Sequence, residues 1–463
     1  MTAESNAHDP VEAPKADLET LSSLAKRRGF AFPSAEIYGG FASTYDYGPL
    51  GVEMKRNIRD LWWRRMVQQR SDVVGIEAAI ITNPAVWRAS GHVEVFTDPL
   101  VDCLNCQGRF REDKLVDRTC PNCGTKDRFT GARDFNLLMR TFVGPVEDDA
   151  AVAYMRPETA QGMFVNYDNV QQTMRRRLPF GIAQIGKSFR NEITTGQFIF
   201  RTREFEQMEM EFFCRPEQGL TWHGYWKQER LAWFRSLGVR PERLRVRDHE
   251  QKELAHYSQA TSDIEYRYQW GWDEIEGVAH RGDYDLTAHA NASGKRLTYF
   301  DPDTNEHIVP HVVEPAVGVD RVMLMLLMDA YDEETDDRGE TRTVLHLAPS
   351  VAPVTVAVLP LSRNERLVPT ARRIWDVLRP HFRTQYDDAQ SIGRRYRRQD
   401  EVGTPLCVTV DFDTLDDDAV TIRQRDSMAQ TRVPVSGLVD ALRAEVDSMS
   451  PSVEPPAPSP FGD

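Results

Sequence analysis

Two stretches of the chain alternate polar and apolar residues with a period of two, and each is long enough for a strand. In Phe180 to Glu192 the residues Gln184, Ser188, Arg190 and Glu192 are polar, while Ala183, Ile185 and Phe189 are apolar. Across the intervening loop, in Phe205 to Phe213, Met208, Met210 and Phe212 share one face and Phe205, Gln207, Glu209 and Glu211 the other. Two antiparallel strands of this kind bury one side and offer on the other a floor of Arg, Glu, Gln and one aromatic ring.

The rest of the chain is organised around that pair. Met54, Ile58, Leu61, Trp62 and Met66 recur at helical spacing, which predicts an amphipathic helix over 51–69 after the turn Tyr47-Gly48-Pro49-Leu50. An apolar run of strand length, 73–81, follows and stops at Asn83-Pro84. A second helix is predicted over 321–331. At 463 residues the chain is too long for one core, and the acidic stretch 332–343 marks a break. One large domain is expected over 18–345 and a smaller one over 350–447. The smaller one opens with a strand (355–359), continues with a helix (367–378) and holds another strand (406–410), both strands apolar enough to be buried on two faces. Residues 1–17, polar and acidic, and 448–463, rich in Pro and Ser, are expected to be loose tails.

Charge narrows the function less than motifs do. The formal net charge is -14, so a nucleic-acid partner would have to meet a locally basic surface such as Arg175 to Arg177 or Arg394 to Arg398. No apolar run approaches the roughly 20 residues that span a bilayer. With no secretory signal pattern at the N-terminus, a cytoplasmic location and no membrane partner are expected. Four of the six cysteines form two pairs, Cys103-x-x-Cys106 and Cys120-x-x-Cys123, with Gly108 and Gly124 close by. That spacing suits a tetrahedral zinc ribbon at about residues 100–130, and four thiolates with no open position imply a structural metal. Cys214 and Cys407 sit in apolar segments and read as buried free thiols.

Arg190 lies in Phe189-Arg190-Asn191-Glu192, and the loop after it returns through Arg201-Thr202-Arg203-Glu204-Phe205. This resembles motif 2 of the class II aminoacyl-tRNA synthetases. Glu314-Pro315-Ala316-Val317-Gly318-Val319-Asp320-Arg321, a strand end running into a helix, resembles motif 3, and Gly48-Pro49-Leu50-Gly51 with its helix, strand and Pro84 resembles motif 1, the dimer-forming part of that family. All three occur in family order. The physical logic is direct: attack of a carboxylate on the ATP α-phosphate builds negative charge that a forked guanidinium can hold. Arg190 and Arg321 are the catalytic candidates, Arg321 at the helix start, where phosphate is attracted.

Arg156-Pro157-Glu158-Thr159-Ala160-Gln161-Gly162 is shared by several class II enzymes. Phe205-Glu206-Gln207-Met208-Glu209, Tyr38-Gly39-Gly40 and the 391–401 segment resemble the glycine enzymes of the dimeric type, over nearly the whole chain. The resemblance implies an α+β fold: an antiparallel sheet flanked by helices, a zinc-ribbon insertion and a C-terminal α/β anticodon-binding domain. It implies ATP binding by Arg190, Asn191, Glu192, Phe200, Arg201, Thr202, Arg203, Glu204, Phe205, Glu274, Ile275, Gly318, Val319, Asp320 and Arg321, with Phe205 stacked on adenine. It places Arg111, Glu158, Phe205, Glu206, Gln207, Met208, Glu209, Glu314 and Gly318 around glycine. Carboxylates suit an ammonium group, and bulky walls exclude a β-carbon, so no editing domain is required. Glu274 is a candidate ligand for the magnesium that accompanies ATP. A homodimer and tRNA(Gly) are the implied partners, with Arg394, Arg395, Arg397 and Arg398 around Tyr396 as an RNA-holding strip. Many relatives carry Ser where this chain has Ala316, so no role passes to that position.

Two other readings remain open at this point. A class II synthetase for another small amino acid would share the ATP motifs, and a panel of amino acids in pyrophosphate exchange separates it. A non-catalytic relative that only binds nucleic acid tends to lose the motif arginines, which this chain keeps.

Overall fold

The two alternating segments become neighbours in a seven-stranded sheet of the computed structural model, which describes residues 11–193, 197–255, 258–302, 304–335, 339–452 and 454–461. Its strands are β1 (Val73–Gly75), β2 (Phe180–Phe189), β3 (Glu204–Cys214), β4 (Leu244–Asp248), β5 (Ala260–Tyr268), β6 (Gly271–Gly282) and β7 (His311–Gly318). In space they run β4-β5-β6-β7-β3-β2-β1, antiparallel throughout except for β1 beside β2. Register pairs Gln184 with Glu209 and Ser188 with Phe205, so the two polar faces coincide.

Three helices cover the apolar face: α1 (Pro49–Trp63), α2 (Gly219–Ser236) and α3 (Val319–Ala330). Pro49 suits the first turn of α1, where a missing N–H costs nothing. Met54, Ile58 and Trp62 of α1, Trp222 and Trp226 of α2, and Val322 to Met328 of α3 join Met208, Met210 and Phe212 in one core. Truncating a core residue such as Met210 to alanine is expected to cost about 2–5 kcal/mol. The opposite face of β2, β3, β6 and β7 is left for the site.

Several expectations are corrected. The 51–69 helix changes pitch at Arg64, where a π-type turn runs to Gln68. The 73–81 run is two short strands, Val73–Gly75 and Ile81–Thr82, rather than one. Gly75 lies against the Trp63 ring, where a Cβ would come within 2.1 Å of it, and beyond Ile76 the chain turns out of the sheet, giving its Ala78 N–H to the Gln184 side chain. The acidic break is partly ordered: Tyr331–Thr335 pairs with Thr341–Leu345 as a hairpin. Asp336 to Arg338 lie outside the described residues.

Neither tail is loose where it is described; residues 1–10 lie outside the described residues. Ala16 is buried, and the Glu12 and Pro14 carbonyls accept from Arg243 and Gln269. At the other end, the Arg65 guanidinium donates to the Glu454 and Pro455 carbonyls, Tyr225 donates to the Ala457 carbonyl at 2.8 Å, and the Ala457 N–H donates to Glu229 at 3.0 Å. The Pro/Ser composition signalled disorder, but Arg65 in the π-type turn after α1 and Tyr225 and Glu229 of α2 hold the backbone.

The C-terminal unit is a five-stranded mixed sheet of Val356–Pro360, Thr384–Tyr386, Leu406–Val410, Ala419–Gln424 and Gln430–Pro434. The first three strands are parallel and the last two run antiparallel. Helices Leu367–Leu378, Ile392–Val402 and Leu438–Met449 pack with them, and Val356–Pro360 and Leu406–Val410 are buried at every residue. Among the described residues, no helix is long and apolar enough to cross a membrane.

Candidate active site

Alternate residues of three adjacent strands line one cleft of about 380 Å³. Phe205, Gln207 and Glu209 come from β3, Glu314, Ala316 and Gly318 from β7, and Ile275, Gly277, Ala279 and Arg281 from β6. Ala316 sits between Glu209 and Gly277 in register. Small residues at the centre of the sheet therefore leave a hollow, walled at one end by acids and at the other by the motif arginines.

At the arginine end, Arg190 donates through Nε to the Pro157 carbonyl at 3.0 Å, and its guanidinium lies over the rings of Phe205 (5.2 Å) and Phe96 (5.5 Å). Arg321 lies over Phe200 at 4.7 Å and reaches the Glu274 carboxylate at 3.3 Å. Stacking fixes a guanidinium plane without neutralising it. Glu192 is buried close to Arg201, at 3.6 Å, and its Oε2 has no hydrogen-bond donor among the described residues.

Asp320 ties the three motifs together. Its carboxylate accepts from Lys55 of α1 at 2.7 Å, from the Tyr47 hydroxyl and from the Glu206 N–H at 2.8 Å. Burial alone would raise its pKa, but Lys55, Tyr47 and that N–H hold it below the ordinary range.

At the acidic end, the polar residues of the 156–162 segment each have a distinct partner. Arg156 crosses to the Lys187 and Ala78 carbonyls at 2.7 and 2.8 Å, and only a glycine at 186 leaves room, because a Cβ there would come within 2.2 Å of the guanidinium. Thr159 gives its N–H (3.1 Å) and hydroxyl to Glu209. Gln161 donates to Glu158 at 2.9 Å and to Asp285 at 3.1 Å. Burial pushes the Glu158 carboxyl up, but His92 at 3.3 Å, Arg281 and Gln161 more than reverse it and keep it ionised. Glu209 goes the other way: burial first, then the charges of Glu314 and Glu158, raise it to about 8. Arg281 binds Asp285 at 2.7 and 2.9 Å and Glu314 at 2.9 Å.

In the insertion, the four motif cysteines form one cluster, with Sγ pairs 3.7 Å (Cys103, Cys123) and 3.6 Å (Cys106, Cys120) apart. Both knuckles turn alike: the Gln107 N–H donates to the Cys103 carbonyl and the Gly124 N–H to the Cys120 carbonyl, each at 2.9 Å, with left-handed backbone at Gln107 and Gly124.

Residues 145–330 match the family described as tRNA synthetase class II core domain (G, H, P, S and T), and residues 355–445 match the family described as anticodon binding domain. The glycine–tRNA ligase of Thermobifida fusca is 54% identical over 441 residues, covering 90% of this chain and 96% of that protein. The chain belongs to the glycine–tRNA ligase family. The glycine–tRNA ligase of Streptomyces coelicolor is 55% identical over 439 residues, 90% of this chain and 95% of that one. A crystal structure of prolyl-tRNA synthetase from Cryptosporidium parvum, complexed with halofuginone and AMPPNP, shares the fold alone: its TM-score is 0.65 at 14% identity, over 94% of this chain and 78% of that one.

Against what resemblance to the glycine–tRNA ligases implies, the cleft takes in Arg190, Glu192, Phe200, Arg201, Thr202, Phe205, Glu274, Ile275, Gly318, Asp320 and Arg321, and at the acidic end Glu158, Gln207, Glu209 and Glu314. Others stand outside it. The pleat sends Glu206 and Met208 to the opposite face, where Glu206 meets Arg59 at 2.8 Å and Met208 enters the core. Glu204 pairs with Lys187 at 2.7 Å, Arg203 donates to the Ala42 and Glu192 carbonyls, the Asn191 N–H donates to the Leu137 carbonyl at 2.8 Å, and Val319 is core. Arg111 is held by Asp98 at 2.9 Å and Asp113 at 2.8 Å, beside the cleft rather than in it. Arg281 was missed, as was His249 with Asp263 (2.7 Å) on the wall from β4 and β5. The period-two run Ile275, Gly277, Ala279, Arg281, small residues ending in a charge, was a readable signal for the first.

The RNA-holding strip is corrected in part. Arg395 is buried and donates to the Ala389, Asp388, Gln390 and Pro360 carbonyls. Arg398 is bound to Asp387 at 2.6 Å, and Tyr396 lies under Arg423 with its hydroxyl on Thr409. Arg394 and Arg397 keep the outer positions, Arg397 3.4 Å from Glu340.

Proposed function

We propose that this protein activates glycine with ATP and transfers it to the 3′ end of tRNA(Gly). The observation that carries the reading is the single cleft with two ring-stacked arginines at one end and an acidic recess at the other. In the first step, the ammonium group of glycine lies against Glu209 and Glu314, and its carboxylate attacks the α-phosphate, breaking the α–β phosphoanhydride bond to give glycyl-adenylate and pyrophosphate, with Arg190 holding the charge that builds there. Arg321, at the N-terminal turn of α3, holds the terminal phosphates. Glu192 Oε2, which accepts no hydrogen bond among the described residues and has Arg201 at 3.6 Å, suits an adenine amino group. In the second step, a ribose hydroxyl at the tRNA 3′ end attacks the carbonyl of the adenylate, forming the ester and releasing AMP, and no covalent enzyme intermediate is needed. Gly277 and Ala316 form the floor, and the pocket walls select against a side chain by clash.

Glu274, in the cleft wall, is the carboxylate that would hold magnesium, which would supply charge neutralisation on the triphosphate. The cysteine cluster fits zinc: tetrahedral Zn–S bonds of about 2.3 Å give S–S edges of about 3.8 Å, close to the 3.6 and 3.7 Å found. Cys103, Cys106, Cys120 and Cys123 would hold it with no position open to substrate. The exposed Ile37, Tyr38 and Phe41 beside the motif 1 region support a homodimer. Arg394 and Arg397 remain the basic groups for anticodon RNA, and a cytoplasmic location fits the activity.

Glycine-dependent ATP–pyrophosphate exchange tests the reading, with alanine, serine and proline as controls. Exchange absent with glycine, or supported equally by alanine, would sink it. Elemental analysis is expected to find one zinc per chain.

A further inference from the structure

Glu211 is the next inward-facing residue of β3 beyond Glu209, it is fully buried, and it does not line the cleft. The register that pairs Glu209 with Ala316 and Phe212 with Val313 sets Glu211 opposite Glu314. Carboxylate oxygens of Glu209, Glu211 and Glu314 all lie within 4.8 Å of one another. Neither oxygen of Glu211 meets an N–H or O–H donor among the described residues. The nearby fixed cation, Arg281, is engaged by Asp285 and Glu314.

Two carboxylates pressed together away from water cannot both stay ionised, because neither has a proton to offer and like charges repel at low dielectric. One proton between them resolves both problems. Glu314 touches the cleft and Arg281, so it is the better anion. Glu211 touches neither.

We propose that Glu211 is a positioning residue for the amino-acid recess: it keeps its carboxyl proton and donates it to Glu314, fixing that carboxylate in the orientation that receives the substrate's ammonium group. The inference rests on the reading of this recess as the glycine pocket. The direction of its acidity agrees, since burial and then the charges of Glu314 and Glu209 push the Glu211 carboxyl well above the ordinary range. Hydrogen bonding from Glu211 in turn opposes the rise that burial imposes on Glu314. The same three acids could instead gather a cation, and the two cases differ in what Glu211 must be: a neutral donor or an anionic ligand.

Glu211→Gln keeps a neutral donor of the same shape, and Glu211→Leu removes it. Both are compared with the unaltered full-length chain in ATP–pyrophosphate exchange, with KM for glycine and for ATP measured separately and thermal midpoints recorded. Glu211→Gln is expected to stay within about threefold of the parent KM for glycine. Glu211→Leu is expected to raise that KM about 10- to 100-fold, the scale of leaving a buried polar group unpaired, with KM for ATP unmoved. The proposal is overturned if Gln is as damaging as Leu, which would mean a charge or a bound metal is required. It is equally overturned if Leu is harmless, or if both KM values and the thermal midpoint shift together. Failure of the unaltered chain to exchange with glycine would instead count against the pocket reading itself.

Discussion

Arginines crowd two regions of this molecule, and they do opposite things. Arg190 and Arg321 lie over Phe205 and Phe200 in the wall of a cleft, Arg190 with its Nε on the Pro157 carbonyl and Arg321 also 3.3 Å from the Phe200 and Glu274 carbonyls and from the Glu274 carboxylate. Arg395, Arg398 and Arg423 in the C-terminal unit are consumed by carbonyls and carboxylates of their own domain; Arg423 binds Asp400 at 2.9 and 3.1 Å, beside Arg342 at 2.9 Å. An aromatic face holds a guanidinium while leaving its N–H fork for a ligand, whereas a carboxylate or carbonyl nest spends the fork. Clustered positive charge in a sequence therefore says little until the partners are known.

The sharpest way to break this contrast is Arg190→Ala. Pyrophosphate exchange should fall about 10²- to 10³-fold, the usual loss for one preorganised charge stabiliser, while the thermal midpoint stays put. The opposite pattern is expected of Arg395→Ala, which strands the carbonyls of Pro360, Asp388, Ala389 and Gln390. Stability should drop by about 3 kcal/mol in denaturant titration, with glycine-dependent exchange at 25 °C preserved. If exchange fell and stability did not, the two arginine sets would be alike after all.

A smaller effect should appear on the acidic side of the cleft. Because Glu209 is raised to about 8, by burial and then by Glu314 and Glu158, it carries a proton at neutral pH in the free protein. An arriving ammonium favours the ionised form, so binding must release that proton. KM for glycine should climb as pH falls from 8 toward 6, by up to about tenfold per unit, and calorimetry in buffers of different ionisation enthalpy should register the release. A flat KM profile would remove Glu209 from the pocket. The smallest effect belongs to the outer arginines: Arg394→Ala and Arg397→Ala should each weaken tRNA binding roughly two- to fivefold, less at high salt, as exposed charges do.

How much of this was legible depended on whether a signal was local. The period-two runs of β2 and β3 and the helix 367–378 follow from pattern alone, because each reports one face of one element. The same pleat explains an error of contiguity: a resemblance spanning Phe205 to Glu209 cannot put neighbours in one pocket, so Glu206 and Met208 turn away. Arg111 is satisfied by Asp98 and Asp113, partners no spacing rule announces. Arg281, His249 and Asp263 meet partners far off in sequence or near the sheet edge, and the docked segment 454–457 depends on Arg65 after α1 and on Tyr225 and Glu229 of α2. Such features exist only once the sheet is assembled.

The carboxylate of Asp320 makes the catalytic centre indivisible. One helix, one strand and one tyrosine loop, drawn from opposite ends of the large domain, meet on two oxygen atoms. A chain with that knot untied has no fixed distance between Arg190 and Arg321, so the cleft that both line is completed only when the three segments meet.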